Sequence, residues 1–349
     1  MVFRRQNLIT AVEGHYPQFH TARDLGETLL RLAQRAHDPS LSVIAHYALG
    51  FTWLCLGALP VARQHLEDGI ARYTPDQRRA PVFRIGQDLG VGCRAYAAWT
   101  LWLLGYPDQA LTHLHDALAL AHALSHPYSL AWARGLAAFV SQLSRDVPAV
   151  HEQAEAAVAL ATEQGFPYWA ALGTCLRGWA LAMQSQGEEG MAQVRQGIAA
   201  WRATGAALAV PCLCTVLADV SAHLGHTDDG LQALAEAHTL VEQHDERWWE
   251  AEIYRLRGVL LLRQTVPQQA EAEACFHHAL DVARRQEAKS LELRAAMSLA
   301  RLWQSQGKRA EAYELLAPIY SWFTEGFDTA DLQEAKALLD ELREALAQQ

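Results

Sequence analysis

Several things are scarce in this sequence. There is no basic surplus: 29 Lys and Arg stand against 39 Asp and Glu, a net charge of −10 with His neutral. That argues against binding to phosphate backbones, which calls for a basic surface. No long apolar run is present. The longest, Ala206 to Cys214, is interrupted by Pro211 and falls far short of a membrane span. Met1-Val2-Phe3-Arg4-Arg5 has the charge of a leader start, but the apolar stretch behind it, Leu8 to Val12, is too short and ends at Glu13. The six cysteines form no C-x-x-C pair and fall in helix-like segments, which fits small buried thiols in a reducing cytoplasm. No Gly-rich phosphate loop occurs: Gly307-Lys308 lacks both the upstream glycine and the following Ser or Thr. β-branched runs are rare, which disfavours sheet folds.

What the chain has is length, apolar bulk and repetition. It runs to 349 residues, 51 % of them hydrophobic, enough for a large core. Small residues recur at Gly50, Ala98, Ala138, Gly178, Ala218, Gly258 and Ala300, at intervals of 48, 40, 40, 40, 40 and 42. A second series follows at Ala62, Ala110, Val150, Gly190, Gly230, Ala272 and Ala312. A third, seven residues further on, runs from Gly69 through Ala117, Ala157, Gly197, Ala237 and Ala279 to Ile319. Proline keeps the same register. Pro39, Pro127 and Pro167 each precede the first anchor of their unit by 11 residues, and Pro60, Pro107, Pro148 and Pro267 stand just before the second. Proline suits the first turn of a helix and breaks its interior. Each unit therefore reads as helix A, a tight turn, and helix B. The small anchors mark where helix axes approach closely. Such a unit cannot bury its apolar face alone, so the units must stack. The predicted fold is all-α: an α-solenoid of about seven helix pairs of about 40 residues forming a single superhelical domain over 1–349.

Both ends depart from the pattern. Residues 1–36 read as a degraded first unit, with Thr10, Ala22 and Leu29 at the anchor positions and no polar cap. Residues 328–347 read as a polar capping helix, with Leu332, Ala335, Leu338, Leu339 and Leu342 on one face and Asp331, Glu334, Lys336, Glu341 and Glu344 on the rest. The C-terminus thus looks finished and the N-terminus cut or joined to something, and self-association through the N-terminal end is expected. The interval of 48 holds a long basic loop, Tyr73 to Pro81, and the sixth unit a longer turn, Thr265 to Gln269.

These paired helices resemble tetratricopeptide repeats, although the unit exceeds the usual length of about 34. The strings Tyr106-Pro107-Asp108-Gln109-Ala110, Leu176-Arg177-Gly178-Trp179-Ala180, Trp201-Arg202-Ala203-Thr204-Gly205, Trp249-Glu250-Ala251-Glu252-Ile253-Tyr254-Arg255-Leu256 and Trp322-Phe323-Thr324-Glu325-Gly326-Phe327-Asp328 go further. They resemble the C-terminal repeat region of bacterial adenylate/guanylate cyclase–ATPase fusion proteins, from about Thr21 to Leu342. This chain contains neither the cyclase nor the ATPase domain. The resemblance therefore implies a sensing or docking role for a signalling protein, and no enzymatic activity.

Chemistry-bearing residues are few and mostly explained by helices. His122 and His126 are four apart with no third metal ligand, and the adjacent His277 and His278 point apart. Glu188-Glu189 and Asp228-Asp229 open B helices, where the helix dipole favours acids. No catalytic residue, metal ligand or cofactor is expected. Trp248-Trp249 starts an A helix, either as a packing staple or as an exposed docking element. The residue after each first anchor reads Phe51, Trp99, Phe139, Trp179, Asp219, Val259 and Arg301. The resemblance to tetratricopeptide repeats puts this position on the concave groove. Phe51, Trp99, Trp102, Phe139 and Trp179, followed by Asp219, Arg255, Arg294 and Arg301, then form the candidate binding surface, because aromatic and Arg anchors dominate protein interfaces. The alternative packs the aromatics between successive A helices. A protein or peptide partner is expected, such as a cyclase/ATPase signalling protein, with no nucleic acid and no membrane. The competing reading is a small-ligand sensor whose aromatic half closes on a metabolite.

Overall fold

A computed structural model describes residues 18–74 and 86–347. The expected anchor Thr10, the basic loop from Pro75 to Pro81 and any shielding by Met1 to Gly14 lie outside the described residues.

Sixteen α-helices and no strand are present among them. Phe19–Ala36 (α1) is the B helix of the degraded first unit. Seven A/B pairs follow: Pro39–Cys55 (α2) with Leu59–Arg72 (α3), Leu89–Leu103 (α4) with Pro107–Leu124 (α5), Pro127–Leu143 (α6) with Val147–Gln164 (α7), Pro167–Met183 (α8) with Gly187–Ala203 (α9), Val210–Leu224 (α10) with Thr227–His244 (α11), Glu250–Leu262 (α12) with Gln269–Arg285 (α13), and Lys289–Ser305 (α14) with Arg309–Ser321 (α15). Ala330–Ala347 (α16) closes the series.

Local signals set these boundaries. Pro39, Pro127 and Pro167 occupy the first position of α2, α6 and α8, where a missing N–H costs nothing. The Asp38 side chain accepts from the Ser40 and Leu41 amides at 2.9 and 3.1 Å, and Asp146 accepts from Ala149 at 3.1 Å. His126 has the same role for α6, accepting from the Ser129 amide. Glu188, Glu189, Asp228 and Asp229 lie in the first turns of α9 and α11. The anchors of all three series are buried. Their size is needed: a Cβ at Gly178 on α8 would lie 2.7 Å from the Gly190 carbonyl oxygen and 2.7 Å from the Val194 amide nitrogen, both on the backbone of α9. All six cysteines are free and buried.

The superhelix also closes on itself. The Arg247 and Trp248 amides donate to the Cys55 carbonyl at 2.8 and 3.3 Å, beyond the last turn of α2. The Ser290 hydroxyl donates to the Trp102 carbonyl at 2.5 Å, at the end of α4. The Arg294 guanidinium donates to the Leu143 carbonyl, at the end of α6. Three successive A helices of the first half thus have C-terminal carbonyls met by donors from the sixth and seventh units; the Trp102 carbonyl also accepts the Gly105 amide of its own turn at 3.1 Å.

Of the two readings of Trp248 and Trp249, the packing one holds: they precede α12 and are 1 % and 3 % exposed, inside the superhelix. One sequence reading needs correction. Asp331 is not on a solvated face of α16 but 8 % exposed, paired with Arg294 at 2.7 Å. The terminal helix docks back onto the molecule through part of its polar face.

Candidate functional site

The A helices supply the interior of the superhelix, and its two halves differ. In the first half it is filled. Phe51, Trp99, Trp102 and Phe139 are only 1–6 % exposed and, unlike the equally covered Trp179, none of them lines the open cavity of the second half, contrary to the expected aromatic groove. Trp248 covers two of them: its ring centroid lies 4.3 Å from Trp99 and 5.9 Å from Phe139, both edge to face, while Phe51 lies 4.4 Å from Tyr96 and Trp102 6.5 Å from Trp249. The Trp248 indole N–H donates to the Glu246 carboxylate at 2.9 Å, and the same carboxylate accepts from the Ala209 amide at 3.1 Å. Burial pushes the Glu246 carboxyl up to about 7, against the lowering effect of those two hydrogen bonds. Trp249 is fixed through its N–H to the Thr215 hydroxyl at 2.7 Å.

In the second half a cavity of about 650 Å³ remains. Five of the nine expected groove residues line it: Trp179, Asp219, Arg255, Arg294 and Arg301. Trp179 on α8 donates its indole N–H to Asp219 on α10 at 2.8 Å. Arg255 on α12 makes two 2.7 Å bonds to Glu252, one turn back on the same helix. Arg294 on α14 donates to Asp331 at 2.7 Å and lies 4.8 Å from the Trp102 ring. Arg301 reaches Glu334 at 3.0 Å, and Arg145, from the α6–α7 turn, reaches Glu334 at 2.6 Å and Asp331 at 3.3 Å. The ion pairs therefore join α12, α14 and α16 to the α6–α7 turn. Burial alone would make Arg255 a weaker base, but the Glu252 carboxylate outweighs it and holds the guanidinium charged. Arg145 likewise remains charged, because Asp331 and Glu334 offset its burial.

Reading the sequence missed Arg145, Gln142, Glu252, Asp331 and Glu334 as wall residues. The three-residue spacing of Glu252 and Arg255 was a usable signal. Nothing local marks Arg145 and Asp331 as neighbours, since four repeats separate them. Met183, Leu256, Phe276 and Met297 add apolar wall between the charges. Counted by type, the wall carries five Arg, with Arg263, against four carboxylates, so it is not a cation trap. The Gln142 amide oxygen is buried at the wall without a hydrogen-bond partner, an acceptor left for an N–H donor. Among the described residues no group of three or more His, Cys, Asp or Glu could hold a metal ion, and no helix is long and apolar enough to cross a membrane.

Stacked helix pairs in this register, wound round a concave interior, define a tetratricopeptide-like α-solenoid. Solved structures agree on that class. A Rap protein complexed with competence and sporulation factor is 11 % identical with a TM-score of 0.59, the match covering 99 % of this chain and 98 % of that one. The APC/C heterotetramer Cut9–Hcn1 gives 14 % and 0.55, covering 84 % of this chain and 49 % of that one. Aspartyl phosphate phosphatase F from Bacillus subtilis gives 12 % and 0.51, covering 85 % and 74 %. At these identities the likeness is one of fold. Among curated sequences, the uncharacterized protein R02095 of Rhizobium meliloti (strain 1021) is 23 % identical over 287 residues, which are 81 % of this chain but only 28 % of that protein. The chain thus spans well under half the length of that relative. No protein-family model matches the sequence.

Proposed function

We propose that this chain is a non-catalytic binding module that receives a peptide segment of a signalling protein in the cavity between α8, α10, α12, α14 and α16. The observation that carries the reading is convergence. Residues chosen from sequence as groove anchors on four different repeats, Trp179, Asp219, Arg255, and Arg294 with Arg301, line one cavity. Fixed charges of both signs set between apolar wall residues suit an extended peptide, whose backbone and side chains offer both. The slight excess of Arg favours a segment carrying a carboxylate. Two fold neighbours whose structures hold a second component, the competence and sporulation factor and Hcn1, are consistent with a partner-binding role for this fold. The resemblance to the repeat region of cyclase–ATPase fusion proteins points to a partner of that signalling class, in the cytoplasm.

The test is a selection from a displayed library of linear peptides, followed by calorimetry of the enriched sequences. The wild type should enrich a consensus, and Asp219→Arg together with Arg301→Glu should abolish binding while the helical spectrum stays unchanged. A second reading, a metabolite sensor, draws on the cavity volume of about 650 Å³, within the small-molecule range. A thermal-shift screen of metabolites that gives a hit lost in the same variant, with no peptide enriched, would select it.

A further inference from the structure

The two stretches that close the superhelix are chemically unlike. Around Trp248 the closure belongs to the main apolar core, which runs from Phe19 to Leu260 and takes in Val282, Ala283, Ala288 and Leu291. Beyond it lies a second, separate apolar cluster. This holds Leu261, Ala272 to Leu280 on α13, α14 from Leu293 onward, and α15–α16 as far as Leu342. The end of α13 and the start of α14, Val282 to Leu291, stay with the first core. The boundary between the clusters therefore crosses α13 and α14 next to their connecting turn.

Where α15, α16 and the linker between them meet the first half, polar contacts stand beside a short apolar one, in which Phe323, 5 % exposed, and Trp322 pack on Gly105 and Pro107 packs on Gly326. The Glu325 carboxylate accepts the Asp108 and Gln109 amides at 3.0 and 3.1 Å. It caps α5, whose own N-cap residue, Tyr106, makes no side-chain cap. Asp108 accepts the Gly326 amide at 3.3 Å. Arg145 holds Asp331 and Glu334 of α16. The aromatic contact here, Trp322 on Tyr106 at 5.6 Å, leaves Trp322 37 % exposed. A small void bounded by Trp102, Phe323 and Leu332 lies in the same seam. Water can replace polar contacts of this kind when they part, whereas the buried Trp248 cluster has no such substitute. Asp331 and Glu334 are also wall residues of the cavity, so any displacement of α16 changes its volume.

We propose that α14 beyond Leu291, α15, α16 and the linker between the last two form a leaf, hinged next to the α13–α14 turn, that parts from α4, α5 and the α6–α7 turn, releasing the Arg294 bond to the Leu143 carbonyl, and so opens the cavity, while the Trp248 cluster stays shut. The Asp331 carboxylate, shared by Arg294 and Arg145, is the latch. The two apolar bodies adjoin at Leu260–Leu261, at the end of α12, and at Leu280–Val282, beside the turn, and element-terminal residues of this kind are where hinges absorb backbone change. This inference goes beyond the binding reading and holds whatever ligand the cavity takes.

The test measures distances between spin labels on the full chain. Leu111→Cys with Phe327→Cys spans the seam, and Val61→Cys with Leu111→Cys lies within the first body. All three positions are exposed, and the native thiols are buried and protected from the label. In the wild type the seam pair should give mainly one short distance, with a long-distance population of about a tenth or less. Asp331→Asn with Glu334→Gln, and separately Glu325→Gln, should raise that population several-fold without moving the control pair. Raising salt from about 0.05 to about 1 M should act in the same direction on the wild type, because the Arg145–Glu334 pair is partly exposed. The salt series decides the matter should the double variant fail to fold. An unchanged seam distance in Glu325→Gln and across the salt series would overturn the hinge. So would equal broadening of the control pair, which would indicate general loosening.

Discussion

The indole rings of Trp99 and Trp248 meet edge to face, their centroids 4.3 Å apart and their planes at 84°. Trp99 belongs to the second repeat and Trp248 precedes the sixth, so this one contact measures how firmly the two halves are joined. Trp248 is 1 % exposed, and truncating it removes a large, fully buried side chain and leaves Glu246 short of a donor. Trp248→Ala should therefore cost about 3–5 kcal/mol, read from the urea midpoint at constant slope. A loss under about 1 kcal/mol would mean that the interior is not packed as described.

Two buried groups give opposite pH dependences. Glu246 has its carboxyl raised to about 7, chiefly by burial, from an ordinary 4.5. The folded state then holds this proton more tightly than the unfolded state. Its contribution is complete below about 4.5 and lost as pH rises through 7, a change on the order of 3 kcal/mol. Glu246→Gln should remove that contribution from the pH profile of stability, read from urea titrations at pH 4.5 to 7.

His46 runs the other way. Burial lowers it to about 4, with the neighbouring Asp68 opposing and His65 and Arg72 assisting. Its Nδ1 lies 3.1 Å from that of His65, so one ring must supply a lone pair and both cannot be charged. This contribution is present above 6.5 and lost as pH falls toward 4. Where the windows overlap, the wild type should look nearly flat. His46→Gln should then expose the Glu246 decline, and Glu246→Gln the His46 decline. Parallel profiles for the two variants would contradict both assignments.

Gly178→Ala sets helix propensity against close packing. Alanine gains about 1 kcal/mol in a helix interior. Here its Cβ would stand 2.7 Å from the Gly190 carbonyl oxygen, on backbone that cannot rotate away. Separating α8 from α9 costs about 1–3 kcal/mol, so the net effect should be destabilising, and Gly178→Leu should be worse. Thermal unfolding of both variants checks the order.

No phosphate-binding loop is encoded, as the flanks of Gly307-Lys308 indicate. Calorimetry with ATP and Mg²⁺ should give no binding heat. Micromolar affinity would require a nucleotide site that the cavity reading does not contain.

The repeat register was legible because it rests on local necessity. A residue such as Gly178 or Ala138 must be small where helices cross, and Pro127 or Pro167 can stand only at a helix start. Trp179, Asp219 and Arg301, placed on the concave side by the resemblance to tetratricopeptide repeats, line one cavity. The contents of the rest of the concave side were not legible. Whether Trp99 faces a groove or meets Trp248 depends on superhelical pitch summed over four repeats, and no neighbouring residue encodes that sum. Asp331 was misread for the same reason. A carboxylate in the first turn of an amphipathic helix looks solvated until a distant Arg294 is brought beside it.

The Arg247, Ser290 and Arg294 donors on the Cys55, Trp102 and Leu143 carbonyls also change how the chain gains and loses its structure. An open array of repeats can fray and regrow from its ends, each unit depending only on its neighbours. Closing this one requires residues some 190 positions apart to meet, as for Ser290 and Trp102, which imposes a loop-closure cost and raises contact order. Folding should accordingly be slow for an all-helical protein. Removal of a terminal unit should disturb the units that face it across the ring as well as the one beside it.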